Sequence, residues 1–393
     1  HLTYVHHGKA FHDYLEMRAE AFNKKDPNVQ VEVTIGDHDK FTVMVAGGVA
    51  PDVVDLPDFE DRGVKGGLVN LRPLIERDNI ARLVGQPMVD FVTMPNGEIY
   101  SMPFEVGSTP AYFNRDMFEQ VGLAAPDRLG KDWTWEAAFD AAKKLTKDED
   151  GDGVPEYFGI DRPWGYWRRA VFQAGGDFIQ VDRNLNPVKS LFNTPEVLRG
   201  VEYVASYYSE RLTAHLMMGW DQHTDYYFWK GKSALDFCDG MGIVATGYLL
   251  DADFNWDFAL QPWGPAGPLG EISCGGPHIV ADSRSVESAW EWMKFYAYDR
   301  DALETFISLT GRLPALKVIQ PSYAGIKNIR NKNFNAIFEQ TNYPAPRQYP
   351  VPKELNSRQV SLDVVWSGKE PAAAALQGIH DRMTAYIQEL QAK

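Results

Sequence analysis

Residues 40–71 read KFTVMVAGGVAPDVVDLPDFEDRGVKGGLVNL, and the order of their parts decides the fold class. A helical pattern over 37–46 stops at Gly47-Gly48, and Ala50-Pro51-Asp52 turns the chain. Asp52 to Leu56 then reads as a short apolar strand, and Asp58-Phe59-Glu60-Asp61 follows as an acidic-aromatic loop. Upstream, Leu2 to His6 reads as a strand, and Phe11, Leu15, Ala19 and Phe22 recur at helical spacing. Val29, Val31, Val33 and Ile35 alternate with polar residues, as a half-buried strand does. Strands alternating with helices predict an α/β architecture around a mainly parallel sheet covered on both faces.

The length of 393 residues exceeds one ordinary core and predicts two domains or lobes. A hydrophobic share of 44% with 24% charged residues describes a soluble globular chain. The net charge of −15 argues against nucleic acid and anionic membrane as partners, since both need a basic face. No apolar run approaches the ~18 residues of a spanning helix. Cys238 and Cys274 are too few for a disulfide framework; two free thiols are the simpler reading, and a single bridge stays open. Aromatic residues make up 13%, with 11 Trp and 18 Tyr, which predicts aromatic surface beyond core needs, suited to stacking on flat amphipathic ligands.

Further along, Ile99 to Phe104 reads as a strand leading into Thr109 to Phe113. Asn114 with Asp116, and Thr134 before WEAAFDAAKKL, carry helix-start signals. Val197, Val201, Val204 and Tyr208 line one face of a helix over 195–208, and Ala289, Trp290, Met293 and Ala297 mark another. Leu376, Ile379, Met383, Ile387 and Leu390 form the stripe of a last helix, read as core contact.

Taken in order, the 40–71 stretch, YSMPFEVGSTPAYFNRDMFEQVG (100–122), YYFWKGKSALDF (226–237), DFALQPWGP (257–265) and GRLPAL (311–316) resemble the extracellular solute-binding proteins of bacterial ABC importers, specifically their sugar-binding, maltose-binding-protein-like branch. The resemblance covers nearly the whole chain and rests on the order of the segments more than on any one motif. It implies a periplasmic-binding-protein type II fold, with two α/β lobes and a hinge of three crossing segments. The implied lobes are 1–112 with 258–313, and 113–257 with 314–393, with the ligand in a cleft between them. It also implies capture of a carbohydrate, an oligosaccharide, by lobe closure, with no catalytic step, and delivery to the permease of an ABC transporter. A monomer outside the cytoplasm is expected, in the periplasm or lipid-anchored at the outer face of the membrane. The chain begins directly in the strand HLTYVHHG, which for this family implies a processed form.

In open α/β sheets ligands sit beyond the carboxyl ends of strands. That position singles out Phe59 as a flat apolar face, and Glu60 with Asp58 as acceptors for sugar hydroxyls; Asp58 and Asp61 also read as a helix cap. The same argument takes in His7, Gly8, Asp37, Glu105, Trp263 and Gly275-Gly276, with Glu105 the best placed because it lies at the first crossing. WGYWRRAVFQAGGDFI (164–179) resembles the family segment that lines the second lobe's side of the cleft. Trp164 and Trp167 are three apart and would share a helix face, one stacking on a sugar while the other packs inward. Arg168 and Arg169 suit a ligand carboxylate, or face solvent. The resemblance adds Trp220-Asp221, Asp239, Arg312 at the last crossing, and Trp366.

DEDGDGVPEYFG (148–159) places Asp148, Asp150 and Asp152 at positions 1, 3 and 5 of an EF-hand-like loop. Gly153 stands at the tight turn, the Val154 carbonyl at position 7 and Glu156 at position 9. Structural Ca2+ is one reading of it, and a solvated acidic turn the other; Gly159 stands where a bidentate Glu is expected. His6, His7 and His12 match no HExxH pattern. G-x-S-x-G, P-loop and G-x-G-x-x-G signatures are absent. The competing functions are capture of a polyamine or glycerophosphodiester, a polysaccharide-active enzyme using acids such as Glu105 with Asp58, and a surface scaffold.

Overall fold

Short apolar strands set between helices build a four-stranded sheet in each of two units, and the described residues add smaller sheets of three and two strands. The computed structural model describes residues 2–6, 9–56, 60–214, 226–241, 249, 252–270, 272–326 and 331–392, with backbone alone for His6, Ala10 and Glu60. One unit comprises His1–Gly107, Arg183–Leu185 and Ser273–Ile329; the other comprises Ser108–Asp182, Asn186–Ile272 and Arg330–Lys393. The main changes of unit therefore fall after Gly107, Ile272 and Ile329, against expected crossings after 112, 257 and 313. Hydrogen bonding explains the offsets. Strand Trp256–Ala259 pairs with Ala111–Asn114 and so belongs to the second unit's sheet. Leu313–Pro314 pairs with Glu105 and Val106 and so stays with the first.

The first unit's sheet runs in the order His278–Ile279, Val53–Asp55, Leu2–His6, Val31–Ile35. Leu2–His6 is parallel to both of its neighbours, and His278–Ile279 is an antiparallel edge. Helix Lys9–Lys25 turns Phe11, Tyr14 and Leu15 into the core. There Phe104 meets Phe306 and Tyr296 at ring separations of 5.0 and 5.3 Å. The 99–104 segment is not a strand. Ile99 makes only an isolated bridge to Thr93, and the amides of Met102 and Phe104 donate to the Pro277 and Gly275 carbonyls. Regular pairing begins at Glu105.

The second unit's sheet is ordered Trp256–Ala259, Ala111–Asn114, Ser233–Asp236, Phe158–Asp161. Only its last pair is parallel, so the expected mainly parallel sheet holds in the first unit alone. Ala111–Asn114 joins its partners through long connections, which leave strand direction free. Helices Trp167–Gln173 and Pro195–Ser209 cross closely at Gly200, where a Cβ would lie 2.6 Å from the Val171 backbone. Helix Ala372–Gln391 buries Leu376, Ile379, Met383 and Ile387 in the same core.

The aromatic residues are mostly interior, contrary to the expectation of aromatic surface beyond core needs. Trp133, Trp135, Trp167, Trp256, Trp290, Trp292 and Trp366 are buried, and Trp164 is the one exposed tryptophan among the described residues. Large rings remove much apolar area from water at small entropic cost, which makes them efficient core residues. Both cysteines are free. Among the described residues no helix is long and apolar enough to cross a membrane.

Candidate functional site

In the first unit, polar groups gather where the central strands end. Asp55 closes strand Val53–Asp55 and accepts the Tyr4 hydroxyl at 3.2 Å. The Tyr4 hydroxyl also lies 3.3 Å from that of Tyr296. The pairing of Pro314 with Glu105 brings Arg312 alongside. Its Nη1 donates to Glu105 Oε1 at 3.0 Å and Oε2 at 2.8 Å. Desolvation lifts the Glu105 carboxyl to about 7; the Arg312 charge pulls it down and the Asp55 charge pushes it further up. Two carboxylates, a guanidinium and two phenols thus offer acceptors and donors of the kind sugar hydroxyls satisfy. Glu105 and Arg312 come together as a pair that reading the sequence treated separately. Asp55 and Tyr4 were missed; the available signal was a lone acid ending an apolar run.

The other strand-end residues have structural uses. Asp37 caps helix His38–Ala46, its Oδ1 accepting the Lys40 amide at 2.9 Å. The Gly275 carbonyl accepts the Phe104 amide at 3.0 Å. A Cβ at Gly276 would strike the Met102 carbonyl at 2.6 Å, so that close approach needs glycine. Glu60 begins helix Glu60–Val64. His7, Phe59, Trp220 and Asp221 lie outside the described residues.

In the second unit, Asp161 and Asp236 end neighbouring strands and face each other in register. Arg162 follows in a left-handed conformation, φ +45°. Its Nη2 donates to Asp236 Oδ2 at 2.7 Å and to Asp239 Oδ2 at 2.6 Å, and its Nε to Asp161 Oδ2 at 3.4 Å. Asp239 Oδ2 also accepts Trp229 Nε1 at 2.8 Å. Tyr226 and Trp229 stack at 4.0 Å and 7°, with the Arg162 guanidinium 4.2 Å from the Tyr226 ring centre. Three carboxylates surround one guanidinium. Burial therefore raises the Asp161 and Asp236 carboxyls well above the ordinary range, against the pull of Arg162. Of this cluster only Asp239 was legible beforehand. Asp161 and Asp236 are acids ending the apolar runs FGID and SALD, the same signal that Asp55 carries.

The two tryptophans of the 164–179 segment part company. Trp164 sits in the turn Pro163–Gly165, 36% exposed, its amide donating to the Tyr208 hydroxyl at 3.0 Å. Trp167 is 4% exposed and meets Phe178 edge-on at 5.2 Å within the core, so its ring is not free to stack on a ligand. Trp366 is also corrected: it is 3% exposed, in the same core, stacked on Tyr208 at 5.7 Å. Trp263 is half-buried, and its backbone bridges Trp133 and Trp135. Arg169 donates to Thr109 Oγ1 at 3.1 Å and to the Phe237 carbonyl at 3.4 Å. Arg168 is half-buried; desolvation first, then the charges of Arg169 and Arg358, lower its pKa.

In the acidic loop, Asp148, Asp150 and Glu156 each bring one oxygen to within 4.8 Å of the others. The Asp148 carboxylate also accepts the amides of Gly151 and Gly153 at 2.7 and 2.9 Å. Asp152 is not in this group; its carboxylate caps the Val154 amide at 2.8 Å. Gly159, where the bidentate acid would stand, lies in strand Phe158–Asp161, and a Cβ there would sit 2.2 Å from the Ala142 carbonyl. Packing against helix Trp135–Leu145, which contains Ala142, excludes a side chain, so the EF-hand pattern is incomplete for a steric reason.

A family profile described as "Bacterial extracellular solute-binding protein" matches residues 17–333. The arabinooligosaccharide-binding protein of Bacillus subtilis is 30% identical over 149 residues, 34% of this chain and 32% of that protein. The lactose-binding protein of Rhizobium radiobacter is 26% identical over 180 residues, 43% of this chain and 40% of that protein. The chain thus matches well under half the length of these curated relatives. An ABC substrate-binding protein of Listeria monocytogenes, solved with cycloalternan, superposes with a TM-score of 0.70 at 23% identity, covering 100% of this chain and 98% of that one. At that identity the likeness establishes the fold, which is the type II periplasmic-binding fold.

Proposed function

The chain belongs to the family of bacterial extracellular solute-binding proteins, and from that premise we propose that it captures a carbohydrate, an oligosaccharide, for an ABC importer. The observation that supports this reading most is the Asp55, Glu105 and Arg312 group at the strand ends of the first unit. Directional acceptors and donors held by one another discriminate among hydroxyl patterns, because a missing hydroxyl leaves a desolvated polar group unpaired. Exposed Trp164 in the second unit supplies an apolar face of the kind a pyranose ring covers. The relatives named above carry arabinooligosaccharide, lactose and cycloalternan in their descriptions.

The protein binds without breaking bonds, works as a monomer outside the cytoplasm, has no nucleic-acid partner, hands its ligand to a membrane permease, and closes its two units on the ligand. Ca2+ enters in reduced form, on the three convergent carboxylates of Asp148, Asp150 and Glu156, short of the six to eight oxygens usual for that ion. Asp152 caps the Val154 amide instead.

A thermal-shift panel of oligosaccharides, polyamines and glycerophosphodiesters tests the function. A saccharide at a hundred times its Kd stabilises the protein by about 2.7 kcal/mol, a plain rise in melting temperature, and is recovered uncut. A rise with spermidine or a glycerophosphodiester alone refutes the carbohydrate reading, and recovery of shorter glycans refutes the binding-only reading.

A further inference from the structure

Acidic residues outnumber basic ones 54 to 39 in this chain, so carboxylate partners are plentiful. Several of the less exposed arginines use them. Arg18 pairs with Asp299 at 2.6 Å, Arg115 with Asp257 at 2.7 Å, and Arg162 with Asp236 and Asp239. Arg312 is paired with Glu105. Arg168 departs from this pattern. It is half-buried in helix Trp167–Gln173 and, among the described residues, has no ion pair. Its guanidinium carbon lies 5.9 Å from the Trp167 ring centre, and the charges of Arg169 and Arg358, both of its own sign, act on it. Arg169 donates to the Thr109 hydroxyl and the Phe237 carbonyl. Taking a guanidinium partly out of water among like charges is unfavourable unless an anion arrives to meet it.

The backbone keeps Arg168 close to Trp164 along the chain. The turn Pro163–Gly165 continues through Tyr166, at φ −88° and ψ −18°, into helix Trp167–Gln173. Residues 164 and 168 are therefore about one turn apart along the chain. Trp164 is the one exposed tryptophan of the described residues, while Trp167 turns into the core.

Resting on the carbohydrate reading above, we propose that the ligand is an acidic oligosaccharide, with Arg168 receiving the carboxylate of a uronic acid residue while Trp164 stacks on an adjoining sugar ring. A planar carboxylate and a planar guanidinium form two parallel charge-assisted hydrogen bonds, which orient the sugar as well as hold it. The positive charge is local. The net charge of −15 repels an anionic glycan at long range, so specificity comes from this contact and falls with rising salt.

The test is calorimetric titration with matched pairs: trimers of galacturonan, glucuronoxylan and alginate, each beside its carboxyl-reduced neutral counterpart, with a sulfated trimer as a further arm. One uronate trimer is expected to bind at least tenfold more tightly than its reduced form. Arg168→Gln is expected to lose roughly tenfold to hundredfold on that trimer and less than twofold on the neutral one, with an unchanged melting temperature. Arg168→Lys keeps the charge without the fork and should retain part of the preference. Equal or tighter binding of the neutral trimers, a stronger response to the sulfated trimer, or an Arg168→Gln protein with its preference intact overturns the acidic-ligand inference and leaves carbohydrate capture standing. Failure of every saccharide in both series overturns carbohydrate capture itself.

Discussion

Trp164 and Trp167 stand three residues apart, and replacing each by alanine should have opposite consequences. Trp167 is 4% exposed and packed in the second unit's core against Phe178. A buried Trp→Ala change costs about 3–5 kcal/mol, the lost transfer energy plus the cavity left behind. For a unit of this size that lowers the melting temperature by roughly 6–20 °C. Trp164 is 36% exposed, so its replacement gives up less buried area and should cost about 1–2 kcal/mol. If a sugar covers about 60 Å² of its ring, at about 25 cal/mol per Å² the contact is worth about 1.5 kcal/mol, or roughly tenfold in Kd. Differential scanning calorimetry and isothermal titration with the best saccharide of the panel separate the two effects. Trp164→Ala should melt only a few degrees below the wild type and bind about tenfold more weakly. Trp167→Ala should melt far earlier. A Trp167→Ala protein of unchanged stability, or a Trp164→Ala protein of unchanged affinity, refutes the division of roles between them.

Arg162→Leu leaves the Asp236 and Asp239 carboxylates without their buried counter-charge and should cost about 3–5 kcal/mol, seen as a lower urea midpoint; an unmoved midpoint removes the cluster's structural weight. Glu105 titrates at about 7 when folded against 4.5 ordinarily, so the folded state keeps a proton that the unfolded chain releases across that window. Its contribution is greatest below about 4.5 and falls by up to about 3 kcal/mol as pH rises to 7. Glu105→Gln should flatten that part of the stability curve, and identical curves for the two proteins would contradict the shifted carboxyl. Added Ca2+ should raise the melting temperature of metal-free protein, and Asp148→Asn should abolish the rise; no difference between Ca2+ and EDTA removes the ion from the 148–156 loop.

Local patterns were legible where backbone preference and side-chain periodicity agree. Alternating valines make strand Val31–Ile35, Asp37 announces the helix it caps, and Gly47-Gly48 ends that helix, with Gly48 at φ +71°. The order of such elements along the chain was enough for the fold and the family. Residues 99–104 misled because their apolar content reflects burial beside Phe11 and Phe306, and burial alone does not distinguish a strand from an extended connection.

The amino-acid order by itself determined the alternation of strands and helices, the helix caps, the acidic turn and the type II family, because each depends on neighbours a few residues apart or on their succession. Tertiary structure alone decided which of two tryptophans meets water, that half-buried Arg168 has no ion pair among the described residues, and that Glu105 and Arg312, 207 positions apart, share a hydrogen bond. Those outcomes depend on burial and on contacts between distant segments, and a periodic pattern holds no information about which distant residue will arrive opposite.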